Sequence, residues 1–345
     1  MANTTVMYTA DKRDRRKATL IMGILALLIL IIFIISINTG HIRLTPSELL
    51  DTLLGNGTKK QNLILFQFRL PRIVIALLIG AGLAVSGCIM QAISRNALAD
   101  PGILGINSGA GLVVMLFIAF YPATTAVPVL ALPFLALVGA SLTAITIYGL
   151  SYKRNKGILP TRLILTGVAI SAGISSAMIV LTLRLSPEKY QFVATWLAGS
   201  IWGTTWKFVW TLLPWIVILL PYIFIKARVL DVLNLGENTA MGLGANVSRE
   251  QIKFLAAAVG LAASCVSVSG GIGFVGLIGP HVARRLVGPR HQYLLPTSAL
   301  VGSLLVIAAD TIGRWILQPT EVPTGLVVAV LGAPFFLYLL AKAKD

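Results

Sequence analysis

Long apolar runs separated by short polar segments follow one another along the whole chain. Ten are long enough to count: 18–37, 71–93, 103–120, 127–151, 159–184, 208–226, 252–269, 272–288, 292–313 and 324–341. Crossing the hydrocarbon core takes about 20 mostly apolar residues. Backbone groups in lipid must be satisfied within the segment, and the alternation of a barrel strand is absent, so the runs predict helices. The expected fold is an all-α polytopic membrane protein of about ten transmembrane helices, forming a single domain over residues 1–345.

Composition supports this class. The chain is 57% hydrophobic and 12% charged, with a mean hydropathy of +0.88, far from the norm of soluble domains. The net charge of +16 would suit nucleic acid, but its placement argues otherwise. With ten crossings and an inner N-terminus, nineteen of the 28 Lys and Arg residues fall on inner segments and the remaining nine outside. That asymmetry is the positive-inside pattern and puts both termini in the cytoplasm. The first run is too long for a signal-peptide core and no small-x-small cleavage site follows it, so it is read as a retained span behind the basic segment 1–17.

The polar segments have their own patterns. In the outer segment 38–70, TPSELLDTLLG predicts a short helix: Thr45 as cap, Pro46 in the first position, Glu48 completing a capping box. The outer segment 186–206 carries Trp196, Trp202 and Trp206, suited to a membrane boundary. Residues 230–250, read as cytoplasmic, are too polar and glycine-rich to span and predict short helices. AGLAVSG at 81–87 and VGLAASC at 259–265 match at four positions. Lying on the second and seventh runs, they predict an inverted repeat of spans 2–5 against 7–10.

Chemistry is sparse. No phosphate-binding G-x-x-x-x-G-K-[ST], no G-x-S-x-G and no H-E-x-x-H occurs, so no catalytic residue is assigned. Cys88 and Cys265 lie within predicted spans as packing residues. His41, His281 and His291 have no ligand spacing, so neither a metal site nor a cofactor is expected. Asp310 is the one acid inside a run; Arg314, four residues on, predicts a structural ion pair near the outer end. Asp100-Pro101 reads as the cap and first residue of the third span, and Pro280 as a kink.

Six blocks occur in order: RLPR at 69–72, SGCIMQ with RNALADPGILG over 86–105, GENTAMGLG at 236–244, GFVGLIGPHVARR at 273–285, AADTIGR at 308–314 and EVPTG at 321–325. On these the chain resembles the iron–siderophore and cobalamin permease family of binding-protein-dependent ABC importers, from about Ile42 to Leu340. The resemblance implies a permease subunit carrying a ferric siderophore across a bacterial cell membrane. Its partners would be a second permease chain, a cytoplasmic ATPase dimer and an extracytoplasmic substrate-binding protein. It implies ATPase coupling through Gly236, Glu237, Ala240, Leu243 and Gly244. It also implies that Arg69, Arg72 and Arg314, exposed on the outer face, dock the binding protein. Two alternatives stay open: an ion-coupled secondary transporter without an ATPase, and a cobalamin or haem permease of the same family.

Overall fold

A helix overlies each of the ten apolar runs. The computed structural model describes residues 2–40, 45–102, 105–121, 130–153, 157–158, 160–317 and 320–342. His41, Arg154, Lys156, Lys344 and the starts of the runs at 103 and 127 lie outside the described residues. The helices are α1 (Ala2–Asn38), α2 (Pro46–Leu53), α3 (Lys59–Asn62), α4 (Leu70–Ser94), α5 (Ile106–Phe120), α6 (Ala131–Ser151), α7 (Pro160–Thr182), α8 (Pro187–Leu197), α9 (Trp206–Ile225), α10 (Ala227–Asn234), α11 (Glu237–Gly242), α12 (Val247–Ser269), α13 (Val275–Val287), α14 (His291–Ile316) and α15 (Thr324–Lys342). The β-structure among the described residues is one small antiparallel pairing of Tyr152–Lys153 with Gly157–Ile158.

Seven segments are long and apolar enough to cross a membrane: Arg13–Asn38, Lys59–Ser94, Ala131–Ser151, Thr161–Thr182, Trp206–Ile225, Val247–Ser269 and His291–Ile316. Ile106–Phe120 and Thr324–Tyr338 are apolar but shorter. The predicted span at 272–288 is the 13-residue α13, about 20 Å long at the α-helical rise.

Local chemistry sets several boundaries. Thr45 caps α2 through a complete capping box: its side chain accepts from the Glu48 backbone, and Glu48 accepts from the Thr45 backbone at 2.7 Å. The Thr45 backbone N–H and hydroxyl hold the Glu48 carboxyl below its ordinary range. Because the shift is downward, this support is present above the unfolded pKa and fades as pH falls through the folded one.

Two expected boundaries are corrected. The second span does not begin at 71, after an outer segment ending at 70: α3, a π-helix over Leu63–Arg69 and α4 form one continuous helix, Lys59–Ser94. Pro71 cannot donate to the Gln67 carbonyl and its ring crowds that oxygen. The turn before it widens, and the Leu70 N–H reaches back five residues to Leu65 O. Asp100 does not cap the third span either. Its carboxylate folds back to accept the Gly102 N–H at 2.7 Å, a local turn that competes with capping. The helix α5 starts only at Ile106, behind Gly105 in a left-handed conformation.

The axis of the molecule is α4, whose residues from Ile73 to Ser94 are almost all buried. It packs most extensively on α14, and also against α12, α13 and α9. The two AGLAVSG-like segments meet each other: the Ser86 hydroxyl donates to Ala258 O at 2.6 Å, and Gly82 faces Cys265 and Leu261. The α4–α14 crossing is closer still. A Cβ on Gly80 would collide with the Gly302 carbonyl, and one on Gly302 with the Gly80 carbonyl. The backbones touch with nothing between them, a small-residue contact of the kind that lets membrane helices approach.

This crossing gives a test with an internal control. Gly80→Ala and Gly302→Ala must push two backbones apart and should each destabilise the chain by about 1–3 kcal/mol or more, the ordinary range for overpacking. Gly23 in α1 has open space where its Cβ would go. Gly23→Ala should be neutral or stabilising by up to about 1 kcal/mol. Thermal unfolding in detergent should rank the three variants in that order.

Candidate functional site

At one end of the α4–α14 pair, five charged side chains converge from three parts of the chain. Asp310, 1% exposed, is at the centre. Its Oδ1 accepts from Arg72 Nε at 2.9 Å and Arg72 Nη2 at 2.8 Å, and from the Thr324 hydroxyl at 3.1 Å. The remaining Arg72 donor, Nη1, reaches Glu321 at 2.6 Å. Arg314 stands one helical turn beyond Asp310, with Nε 3.1 Å from Oδ2. That contact is an ion pair between neighbouring turns of α14.

The third arginine and the far side of Arg314 are met by α1. Arg69 Nη1 donates to the Ile37 carbonyl. Arg314 Nη1 donates to Thr39 O at 2.9 Å and Ser36 O at 3.2 Å, and its Nη2 bonds the Ser36 hydroxyl. Arg72 and Arg314 thus face the two carboxylates, Arg69 lies near Arg314, and the carbonyls at the end of α1 meet the surplus positive charge. A helix C-terminus carries about half a negative charge, so α1 ends where a cation is best placed.

The exposure expected of Arg69, Arg72 and Arg314 is overturned. They are 7, 9 and 5% exposed, each turned inward onto a partner. Only Glu321 keeps substantial access to the surface, its side chain 30% exposed. The spacing of Asp310 and Arg314 does give a pair as expected, but the stronger partner of Asp310 is Arg72. The two lie 238 residues apart, out of reach of any local pattern. The one signal in the sequence is that three arginines and two acids sit near the ends of the second, ninth and tenth runs, with charges that nearly balance.

At the opposite end of α4 and α14, the segment 226–246 forms the short helices α10 and α11. Gly236 (φ +107°) precedes α11 and Gly244 (φ +83°) follows it, both in conformations that glycine adopts without strain. Ala240 is fully buried and anchors α11. Leu243 lies just past the helix and is 63% exposed, beside exposed Leu235 and Met241. Glu237 opens α11. The five residues singled out in the sequence thus share one small helix–loop unit, with apolar side chains turned outward. Pro280 lies inside α13 and is buried, as is Pro101. Among the described residues no group of three or more His, Cys, Asp or Glu could hold a metal.

The charge cluster predicts a non-additive cycle. Arg72→Ala leaves Asp310 buried with its principal partner gone and should cost about 3–5 kcal/mol. Arg72→Ala combined with Asp310→Ala removes both charges and should recover a measurable part of that loss. Chemical or thermal unfolding of the four species checks it; strict additivity would mean that the two side chains do not depend on each other.

Known proteins share this architecture. The chain matches the FecCD transport family over residues 27–342. It is 49% identical to the iron(3+)-hydroxamate import system permease protein FhuG of Bacillus subtilis, over 96% of this chain and all of that protein. It is 42% identical to the iron-uptake system permease protein FeuC of the same organism, over 92% of this chain and 96% of the relative. Identity with the hemin transport system permease protein HmuU of Yersinia pestis is 36%, over 96 and 98% of the two chains. A solved chain, a metal-chelate type ABC transporter in an inward-facing conformation, superposes with a TM-score of 0.82 at 31% identity, over 93% of this chain and 99% of the other. With the family signature running through nearly every helix described above, the chain belongs to the FecCD transport family.

Proposed function

We propose that this chain is the permease subunit of an ABC importer that carries a ferric siderophore, of the hydroxamate type, into the cytoplasm. What carries the reading is the full-length match to an iron(3+)-hydroxamate import permease at 49% identity. Permeases named for iron uptake and hemin at lower identity support the broader class of iron chelates. The permease would lie in a bacterial cell membrane with about ten crossings, paired with a second permease chain. A binding protein would deliver the chelate from outside, and a separate ATPase dimer would hydrolyse ATP inside.

The geometry fits this division of labour. The sequence has no G-x-x-x-x-G-K-[ST] phosphate-binding motif, so ATP hydrolysis would fall to a partner. Exposed Leu235, Met241 and Leu243 on a rigid helix–loop unit are suited to receive one, since apolar side chains anchor interfaces. An ion-coupled mechanism needs an acid free to bind a proton or cation at depth. Asp310 is instead held between Arg72 and Arg314. Arg69, Arg72 and Arg314 take a structural part in this reading, because a binding protein would have to draw them away from Asp310, Glu321 and α1 before pairing with them.

Reconstitution decides between the two energy sources. Proteoliposomes holding the permease, its ATPase and binding protein should import ferric hydroxamate only with ATP; uptake by the permease alone on an ion gradient would overturn the proposal. The double variant Glu237→Ala/Leu243→Ala should insert normally but retain ATPase poorly, by about tenfold or more for a central anchor. Normal capture and transport by that variant would remove α11 from the coupling role.

Orientation has its own test. Thiols placed at Asn56 or Lys189 should react with an impermeant reagent from outside, and thiols at Asn246 or Arg154 should not, following the positive-inside bias. Cys88 and Cys265 are buried and contribute little background. Outside labelling at Asn246 would invert the topology.

A further inference from the structure

The short helix α10 is fastened at two points, and both fastenings reach the central helix pair. On one side, Arg95 follows α4 in a left-handed conformation (φ +50°), and its Nη2 donates to Leu233 O at 3.4 Å. On the other, Asp231 meets the first residue of α14. Its Oδ1 accepts the His291 backbone N–H at 2.9 Å and the His291 ring at Nδ1, 2.7 Å away. Arg290, which precedes α14, supplies no side-chain cap. The orphan donor at the start of α14 is therefore satisfied by a carboxylate from another helix, where a negative charge is favoured.

His291 is 1% exposed. Donation to the carboxylate puts the ring proton on Nδ1. Nε2 is buried with no hydrogen-bond partner among the described residues. The imidazole thus has a single hydrogen-bonding anchor, and that anchor is Asp231. Beyond His291, α14 is locked to α4 along its length. Ser303 donates to Leu77 O at 2.8 Å, the Gly80–Gly302 crossing leaves no gap, and Arg72 grips Asp310 at the far end. A displacement of α10 must either carry this pair with it or break the Asp231–His291 contact.

From this geometry we infer that Asp231 and His291 are positioning residues for transport, forming the link through which movement of α10 and α11 is delivered to the α4–α14 pair. The inference rests on the reading of α10 and α11 as the ATPase-docking segment. An N-cap that only stabilised α14 would affect folding; a transmitting link affects the substrate moved for each ATP consumed. The conservative substitutions differ in a useful way. The asparagine amide of His291→Asn lies near the position of Nδ1 and keeps the donor to Asp231. The longer side chain of His291→Gln carries its amide toward the position of Nε2 and does not.

The test uses the complete transporter, with ATPase and binding protein, in proteoliposomes, and reads ferric hydroxamate imported against ATP hydrolysed. Asp231→Ala and His291→Gln should lower that ratio by about 2- to 30-fold, the range of coupling changes produced by single positions, with ATPase still co-purifying. His291→Asn should keep the ratio near that of the parent. An unaltered ratio in Asp231→Ala and His291→Gln, with docking intact, overturns the link alone. So does a loss of import strictly parallel to a lowered melting temperature in all three variants, since that is the behaviour of a structural cap. Undiminished ATPase capture by Glu237→Ala/Leu243→Ala overturns the docking reading and the link with it.

Discussion

Charge in a low-dielectric interior is stable only when its partners come with it, and this constraint organises one whole end of the molecule. Arg72, Asp310, Glu321 and Arg314 belong to α4, α14 and the segment leading into α15; α1 contributes the carbonyls that absorb the surplus positive charge. Each of these elements would be free to slide in a purely apolar bundle, since lipid tails solvate leucine about as well as a neighbouring helix does. The ion cluster removes that freedom. It fixes the ends of α4 and α14 relative to each other, and the glycine crossing below it fixes their separation.

Much of the fold was legible in the sequence because membrane helices obey local rules. Run length placed a helix under every apolar segment, and the Thr45–Glu48 spacing located the α2 boundary through groups only three residues apart. The short helices of the 230–250 segment followed from polarity and glycine placement. What could not be read was anything decided across the chain. Arg72 looked like an exposed docking residue because its acids lie 238 and 249 residues away. Asp100 has the residue type and the following proline of a good cap, yet its carboxylate prefers the nearer Gly102 N–H. The same limit hid Asp231 and His291, which are 60 residues apart and unremarkable in their own segments.

Seen from its two ends, the α4–α14 pair is a strut. One end carries the buried ion cluster, with Glu321 as the member nearest the surface. The other carries α10, held by Arg95 and Asp231. The helix α7 contrasts with this pair: little of its apolar window is buried within the chain, and it contacts mainly α5 and α6. Among the described residues it has no ionic or glycine lock to α4 comparable to that of α14.

The π-helix ahead of Pro71 has a bearing on how the segment before it is aimed. A loop closed over five residues holds one more residue than the regular loop over four. The surplus lies between Leu65 and Leu70, upstream of the arginine that grips Asp310. Deleting one residue there would return the turn to α geometry, leaving everything from Leu70 onward in register with α14. The segment before it, α2 and α3, would turn by about 100° around the helix axis. The chain therefore has, next to its most constrained contact, a place where a residue can be added or removed to re-aim α2 and α3 without disturbing the Arg72–Asp310 pair.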